Sequence, residues 1–165
     1  MRVTAFTLAM LQLTACGVGD TPEGESAPAL TATTLGQQQI MTNRTWSEEA
    51  PYATADLRRG ELLSAQCRAC HSLQSDSDDI IGPGLFGFFG KPAGRSVTFA
   101  YSAGLANGDF IWTPRALDAW LADPGRFLPG NKMAYAGLLY AEDRNALIAY
   151  LLQVTDDDET ASSAE

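Results

Sequence analysis

Two stretches of this chain, residues 72–112 and 124–140, are long, rich in glycine and proline, and free of strand alternation. Irregular segments of that length are uncommon in a compact domain unless they wrap something. Around them, three segments carry helical signals. The first runs from Asp56 to Cys67, where Leu63, Cys67 and Cys70 fall at i, i+4 and i+7. Gly60 shares that face and leaves room for another helix to approach closely. The second opens on Thr113-Pro114, a capping hydroxyl followed by a proline suited to the first helical position. It turns Leu117, Trp120 and Leu121 inward and stops before Asp123-Pro124. The third runs from Glu142 to Val154, with acids in its first turn and Leu147, Tyr150, Leu151 and Val154 at helical spacing. Three helices and two long loops predict an all-α domain whose middle is filled by something besides its own side chains.

The pentapeptide Cys67-Arg68-Ala69-Cys70-His71 supplies the attachment point. C-x-x-C-H is the signature of c-type haem attachment: two thiols add to the two vinyl groups, and the histidine reaches the iron. A thioredoxin-like redox pair needs a βαβ context, which is missing here. A zinc site needs a fourth ligand, yet the chain has one histidine and no third cysteine nearer than Cys16. With His71 on one side of the iron, a thioether is the natural opposite ligand. Beyond the leader only Met41 and Met133 remain, and Met133 sits in the turn Pro129-Gly130-Asn131-Lys132-Met133. The alternative for Met133 is a core side chain filling a gap.

The flanks differ from this domain. The net charge of −9 argues against nucleic acid. Residues 56–155 carry nine basic and ten acidic side chains, so the acidity lies outside them. No apolar run approaches the roughly 18 residues of a membrane-spanning helix. Residues 1–15 have the form of a secretory signal peptide, with Arg2 ahead of a short apolar core. They end in Leu13-Thr14-Ala15-Cys16, which resembles the bacterial lipoprotein signal; that resemblance implies lipidation of Cys16. An ordinary signal peptide would instead leave Cys16 as an unpaired thiol, a liability in an oxidising compartment. Residues 16–54, polar and without periodicity, read as a flexible linker reaching about 35 Å. Trp46 and Tyr52 are large for such a segment, either incidental or packed on the domain. Residues 156–165 read as a disordered acidic tail, leaving 55–155 as the domain.

Over that domain the chain resembles the class I cytochromes c of the mitochondrial and bacterial cytochrome c2 type. Gly82-Pro83-Gly84-Leu85-Phe86-Gly87, Gly90-Lys91-Pro92-Ala93-Gly94, Phe99-Ala100-Tyr101-Ser102, Trp112-Thr113 and the Pro129-to-Gly137 segment occur in family order. The spacing from His71 through Pro83, Tyr101 and Trp112 to Met133 matches the mitochondrial form without a gap. The resemblance implies three main helices and Gly/Pro-rich loops around one haem c bound through Cys67 and Cys70. It makes His71 and Met133 the axial ligands, with the Pro83 carbonyl accepting the His71 ring N–H. Tyr101 and Trp112 would donate to a buried propionate, and the faces of Gly60 and Leu63 would cross Tyr150 and Leu151.

Four departures are visible. Lys91 stands where the family has an arginine near the inner propionate, and Trp120 where a tyrosine approaches the ligand sulfur. Leu105 replaces an asparagine of the pocket wall, and Asn131 a threonine beside the methionine turn. All bear on the reduction potential rather than on ligation.

The implied function is a monohaem electron carrier, not an enzyme, lipid-anchored on the periplasmic side of a bacterial membrane. Its implied partners are a quinol-oxidising complex as donor and a terminal oxidase or photosynthetic reaction centre as acceptor, with no nucleic acid and no small-molecule substrate. Two other readings are open: a dedicated electron-accepting subunit of a periplasmic dehydrogenase, and a haem enzyme or gas sensor with a displaceable Met133.

Overall fold

A computed structural model describes residues 30–157 apart from Asp76. Its helices, in chain order, are α1 (Asn43–Glu48), α2 (Leu57–Arg68), α3 (Ala103–Ala106), α4 (Pro114–Ala122), α5 (Pro124–Phe127) and α6 (Ala141–Val154), with one 3-10 turn at Tyr52–Thr54. Among the described residues there is no strand beyond an isolated bridge between Pro92 and Ile111. The described residues are all-α, as the sequence predicts. The short helices α1, α3 and α5 add to the three read from periodicity, being too brief to show a period.

The long helices start where their caps dictate. The Asp56 carboxylate accepts the Arg59 N–H at 3.0 Å, and the Thr113 hydroxyl accepts the Ala116 N–H at 3.2 Å. Asp123 ends α4 and caps α5, its carboxylate accepting the Arg126 N–H at 3.0 Å. Helix α6 has no such side-chain cap. Arg144 instead donates to the Leu138 and Leu139 carbonyls, at 2.9 Å each, and to Asp118 at 2.7 Å, tying the start of α6 to α4.

Helix α6 is the spine of the core. Ala146, Leu147, Ile148, Ala149, Leu151 and Leu152 are all buried. Burial of each such leucine or isoleucine is worth about 1.5–3 kcal/mol. Helix α2 crosses α6 at Gly60, where a Cβ would collide with the Ala146 carbonyl and come within 2.8 Å of the Tyr150 Cβ. Only glycine permits that approach. An Arg59–Asp143 ion pair, 2.7 Å between Nε and Oδ1, closes the crossing at its rim.

Residues 30–54 correct the expectation of a flexible linker reaching to residue 54. Leu35 is buried at 2% exposure and Trp46 at 5%. Tyr52 and Met41 also pack against the core. The Thr42 side chain caps α1, and the buried Asn43 side chain donates to the Leu152 carbonyl at 3.1 Å. The segment is a strap on the domain. Its few large side chains are single anchors spaced without period, so composition alone resembles a linker. At the other end, Asp157 lies 3.7 Å from the Lys91 ammonium, so the first residues of the acidic tail rest on the domain. The leader, Cys16 and residues 158–165 lie outside the described residues.

Candidate haem-binding site

Helix α2 delivers Cys67 in its last turn, and Cys70 and His71 follow directly, their N–H groups both bonded to the Cys67 carbonyl. The local turn thus puts two thiols and an imidazole on one wall. Pro83 returns over His71, and its carbonyl lies 2.7 Å from Nδ1. A carbonyl only accepts, so Nδ1 carries the proton, which in the neutral imidazole leaves the lone pair on Nε2. Gly82 makes the fit possible: a Cβ there would collide with the imidazole Cε1.

These residues line a cavity of about 420 Å³, within the range of roughly 300–1,000 Å³ usual for ligand sites. Trp112, Trp120, Met133 and Tyr101 line the same cavity. Cys67, Cys70, His71, Pro83, Tyr101, Trp112, Trp120 and Met133, the residues given a cofactor role from the sequence, therefore border the same space. Met41 does not; it lines a separate cavity of about 330 Å³ with Phe89 and Lys91. The Met133 turn is fastened by Asn131, whose amide donates to the Pro124 and Leu128 carbonyls at 2.8 and 3.0 Å. Its oxygen accepts the Met133 N–H at 2.9 Å. From the other side the Trp120 indole N–H donates to the Met133 sulfur at 3.2 Å. Trp120 is held in turn by edge contacts with Trp112 and Phe127, ring centroids 5.5 and 5.8 Å apart.

The cavity takes a large apolar ligand with polar edges. Phe88, Leu105, Leu117, Leu121 and Leu151 form its apolar walls. Ser102 Oγ and Tyr135 Oη also border it, and both are buried without a hydrogen-bond partner among the described residues. Burial pushes the Tyr135 phenol up to about 12, with a smaller contribution from Cys67, so it stays a protonated donor. Burial also raises the Tyr101 phenol, whose oxygen accepts the Ser96 N–H at 3.4 Å and keeps its own proton to give. The Cys67 thiol, pushed up to about 11 by burial, is neutral.

The expected cation is displaced. Lys91, placed by the sequence near the inner carboxylate of the ligand, does not line the cavity, because its ammonium turns to Asp157. Arg95 lines it instead, donating to the Phe86 carbonyl at 2.6 Å and the Gly84 carbonyl at 3.2 Å. Sequence reasoning missed Arg95, Ser102 and Tyr135. Orphaned hydroxyls and the direction of an arginine are properties of the fold, and no spacing rule announces them.

No family model matches the chain. It is 40% identical over 108 residues to a cytochrome c of Chlamydomonas reinhardtii, covering 65% of this chain and 95% of the relative. It is 36% identical over 108 residues to a cytochrome c2 of Blastochloris viridis, covering 66% and 85%. A cytochrome c2 of Agrobacterium tumefaciens is 38% identical over 100 residues, covering 59% and 90%. The chain belongs to the class I cytochrome c family. As a cytochrome c it is a haem electron carrier with one covalently attached haem c. The paired thiols, the imidazole, the thioether lining the same cavity and the two buried hydroxyls without a partner among the described residues fit that group.

Proposed function

We propose that this cytochrome is a membrane-tethered, periplasmic one-electron carrier, with haem c joined to Cys67 and Cys70 and its iron held by His71 and Met133. One observation carries the reading: the His71 ring and the Met133 sulfur border the same cavity as the two thiols. A bound haem c supplies a ferric/ferrous couple. The chain's own residues set its terms. Pro83 fixes the His71 tautomer and makes Nε2 a better donor. Trp120 fixes the sulfur. The apolar walls exclude water and favour the less charged, reduced centre, as does methionine ligation. With His71 and Met133 both holding the iron, no position would be left for a substrate.

Partner recognition would fall at the cavity mouth. Ile81 lines the cavity yet is 72% exposed. Ile80, Leu139 and Tyr140 are likewise exposed apolar side chains. A quinol-oxidising complex as donor, and a terminal oxidase or photosynthetic reaction centre as acceptor, would therefore dock through apolar contact more than through charge. Electron-transfer rates should vary little with added salt. The tether rests on the lipoprotein-like Leu13-Thr14-Ala15-Cys16; among the described residues no helix is long and apolar enough to cross a membrane.

A potentiometric titration of the purified protein tests the carrier reading: a single reversible one-electron wave is expected, and a centre that takes up carbon monoxide readily without denaturant contradicts it. Cys16→Ser should release a soluble protein with the same wave. Retention of that variant in membranes would require another attachment.

A further inference from the structure

The strap formed by residues 30–54 contributes no residue to the wall of the large cavity. Its contacts nevertheless converge on the back of one wall segment. Residues 90–93 and 110–112 pair antiparallel: Trp112 N–H to the Lys91 carbonyl, Gly90 N–H to the Trp112 carbonyl and Ala93 N–H to the Phe110 carbonyl, each 2.9 Å. In such a pair alternate residues turn their N–H and C=O outward. Ile111, between Phe110 and Trp112, is the residue that does so here. Left bare, that edge would be open to water or to another chain.

The side-chain amide of Gln38 covers it. Its Oε1 accepts the Ile111 N–H at 2.8 Å and its Nε2 donates to the Ile111 carbonyl at 2.6 Å. Nε2 also lies 3.2 Å from the hydroxyl of Thr113, the cap of α4. One amide, acting as a one-residue edge strand, thus holds both neighbours of Trp112. The strap also has anchors of its own on either side of Gln38, none of which touches the amide. Arg115 donates to the Leu35 carbonyl at 2.8 Å, and Asn43 donates to the Leu152 carbonyl at 3.1 Å. Trp46 then packs on Phe89, ring centroids 6.0 Å apart.

Trp112 passes this order inward. It lines the cavity and meets Phe88, Phe110 and Trp120 edge-on at 6.4, 5.0 and 5.5 Å. Trp120 holds the Met133 sulfur. We propose that Gln38 is a positioning residue for the redox site: from outside the cavity it fixes Trp112 and thereby sets how dry the pocket is. The inference rests on the cavity being the haem site. Without Gln38, the Ile111 N–H loses its acceptor and must be hydrated, while the Ile111 carbonyl keeps only the Thr113 N–H at 2.9 Å, and water gains the back of Trp112. A wetter pocket favours the more charged, oxidised centre and lowers the potential.

Two uncharged substitutions in the full-length holoprotein separate this role from simple support. Gln38→Leu removes the amide; Asn43→Ala loosens the strap elsewhere. Reduction potential and amide hydrogen exchange are measured for both and for the parent. In Gln38→Leu, Ile111 should exchange about tenfold faster or more relative to Leu147 of α6, and the potential should fall. In Asn43→Ala, the melting temperature should fall while the potential holds. An unchanged potential in Gln38→Leu overturns the proposal, as does an equal fall in both variants. A parent lacking methionine-ligated haem overturns the site reading, and this inference with it.

Discussion

The indole nitrogen of Trp120 lies 3.2 Å from the sulfur of Met133, and an indole only donates. The hydrogen bond draws electron density from the thioether, weakening it as a donor to an oxidised metal more than to a reduced one. Trp120→Phe keeps the ring contacts and removes the bond. The potential should fall by the net worth of one hydrogen bond, about 0.5–1.5 kcal/mol, or roughly 20–60 mV for one electron. Spectroelectrochemistry on the two proteins checks this.

At the crossing of α2 and α6 a Cβ on Gly60 would strike the Ala146 carbonyl, which is backbone and does not swing aside. Gly60→Ala must therefore push the helices apart. The expected cost is that of overpacking, about 1–3 kcal/mol, although alanine is the better helix former at an exposed site. Denaturant unfolding of the holoprotein, parent against variant, measures it. A stabilised variant would mean that the crossing is wider than described.

Much of this was legible in the chain itself. C-x-x-C-H, the Thr113-Pro114 cap and the Asp123-Pro124 stop are local signals, and the local structure obeys them. Gly60 was legible because its face is fixed by helical spacing from Leu63. The strap was not. Leu35, Gln38, Asn43 and Trp46 find their partners between 43 and 109 residues away: Phe89, Ile111, Arg115 and Leu152. A segment whose order comes entirely from such partners carries no periodic mark. Lys91 and Arg95 are four residues apart in one loop, yet Arg95 lines the cavity while Lys91 pairs with Asp157, and no spacing rule separates them.

That pair of cations gives a direct comparison. Arg95 borders the cavity and Lys91 pairs outside it, and a cation beside the pocket favours the reduced, less positive centre. Arg95→Met should lower the reduction potential more than Lys91→Met. Redox titration at low ionic strength reads the difference, and the reverse order would restore Lys91 as the inward cation.

Acid should expose the Arg59–Asp143 bridge. The hydrogen bond from Arg59 holds the Asp143 carboxyl below its ordinary 3.8. A carboxylate whose native pKa is depressed contributes stability that is complete above the unfolded value and lost as pH falls through the native one. The contribution should be intact at neutral pH and fade below about pH 4. The pair is at the rim, so the effect is small and salt-sensitive. Asp143→Asn should lower the melting temperature slightly at pH 7 and converge on the parent in acid. A constant difference down to pH 2 would mean that the two side chains do not couple.

The most direct test of the account is the absorption of the oxidised protein in the region of the methionine-sulfur-to-iron charge-transfer band, recorded for the parent and for Met133→Ala. A six-coordinate, low-spin parent that shows the band is expected, and a variant that has lost it while keeping its covalently attached haem. A parent without the band, or a Met133→Ala protein that retains it, would contradict the ligation of haem by His71 and Met133.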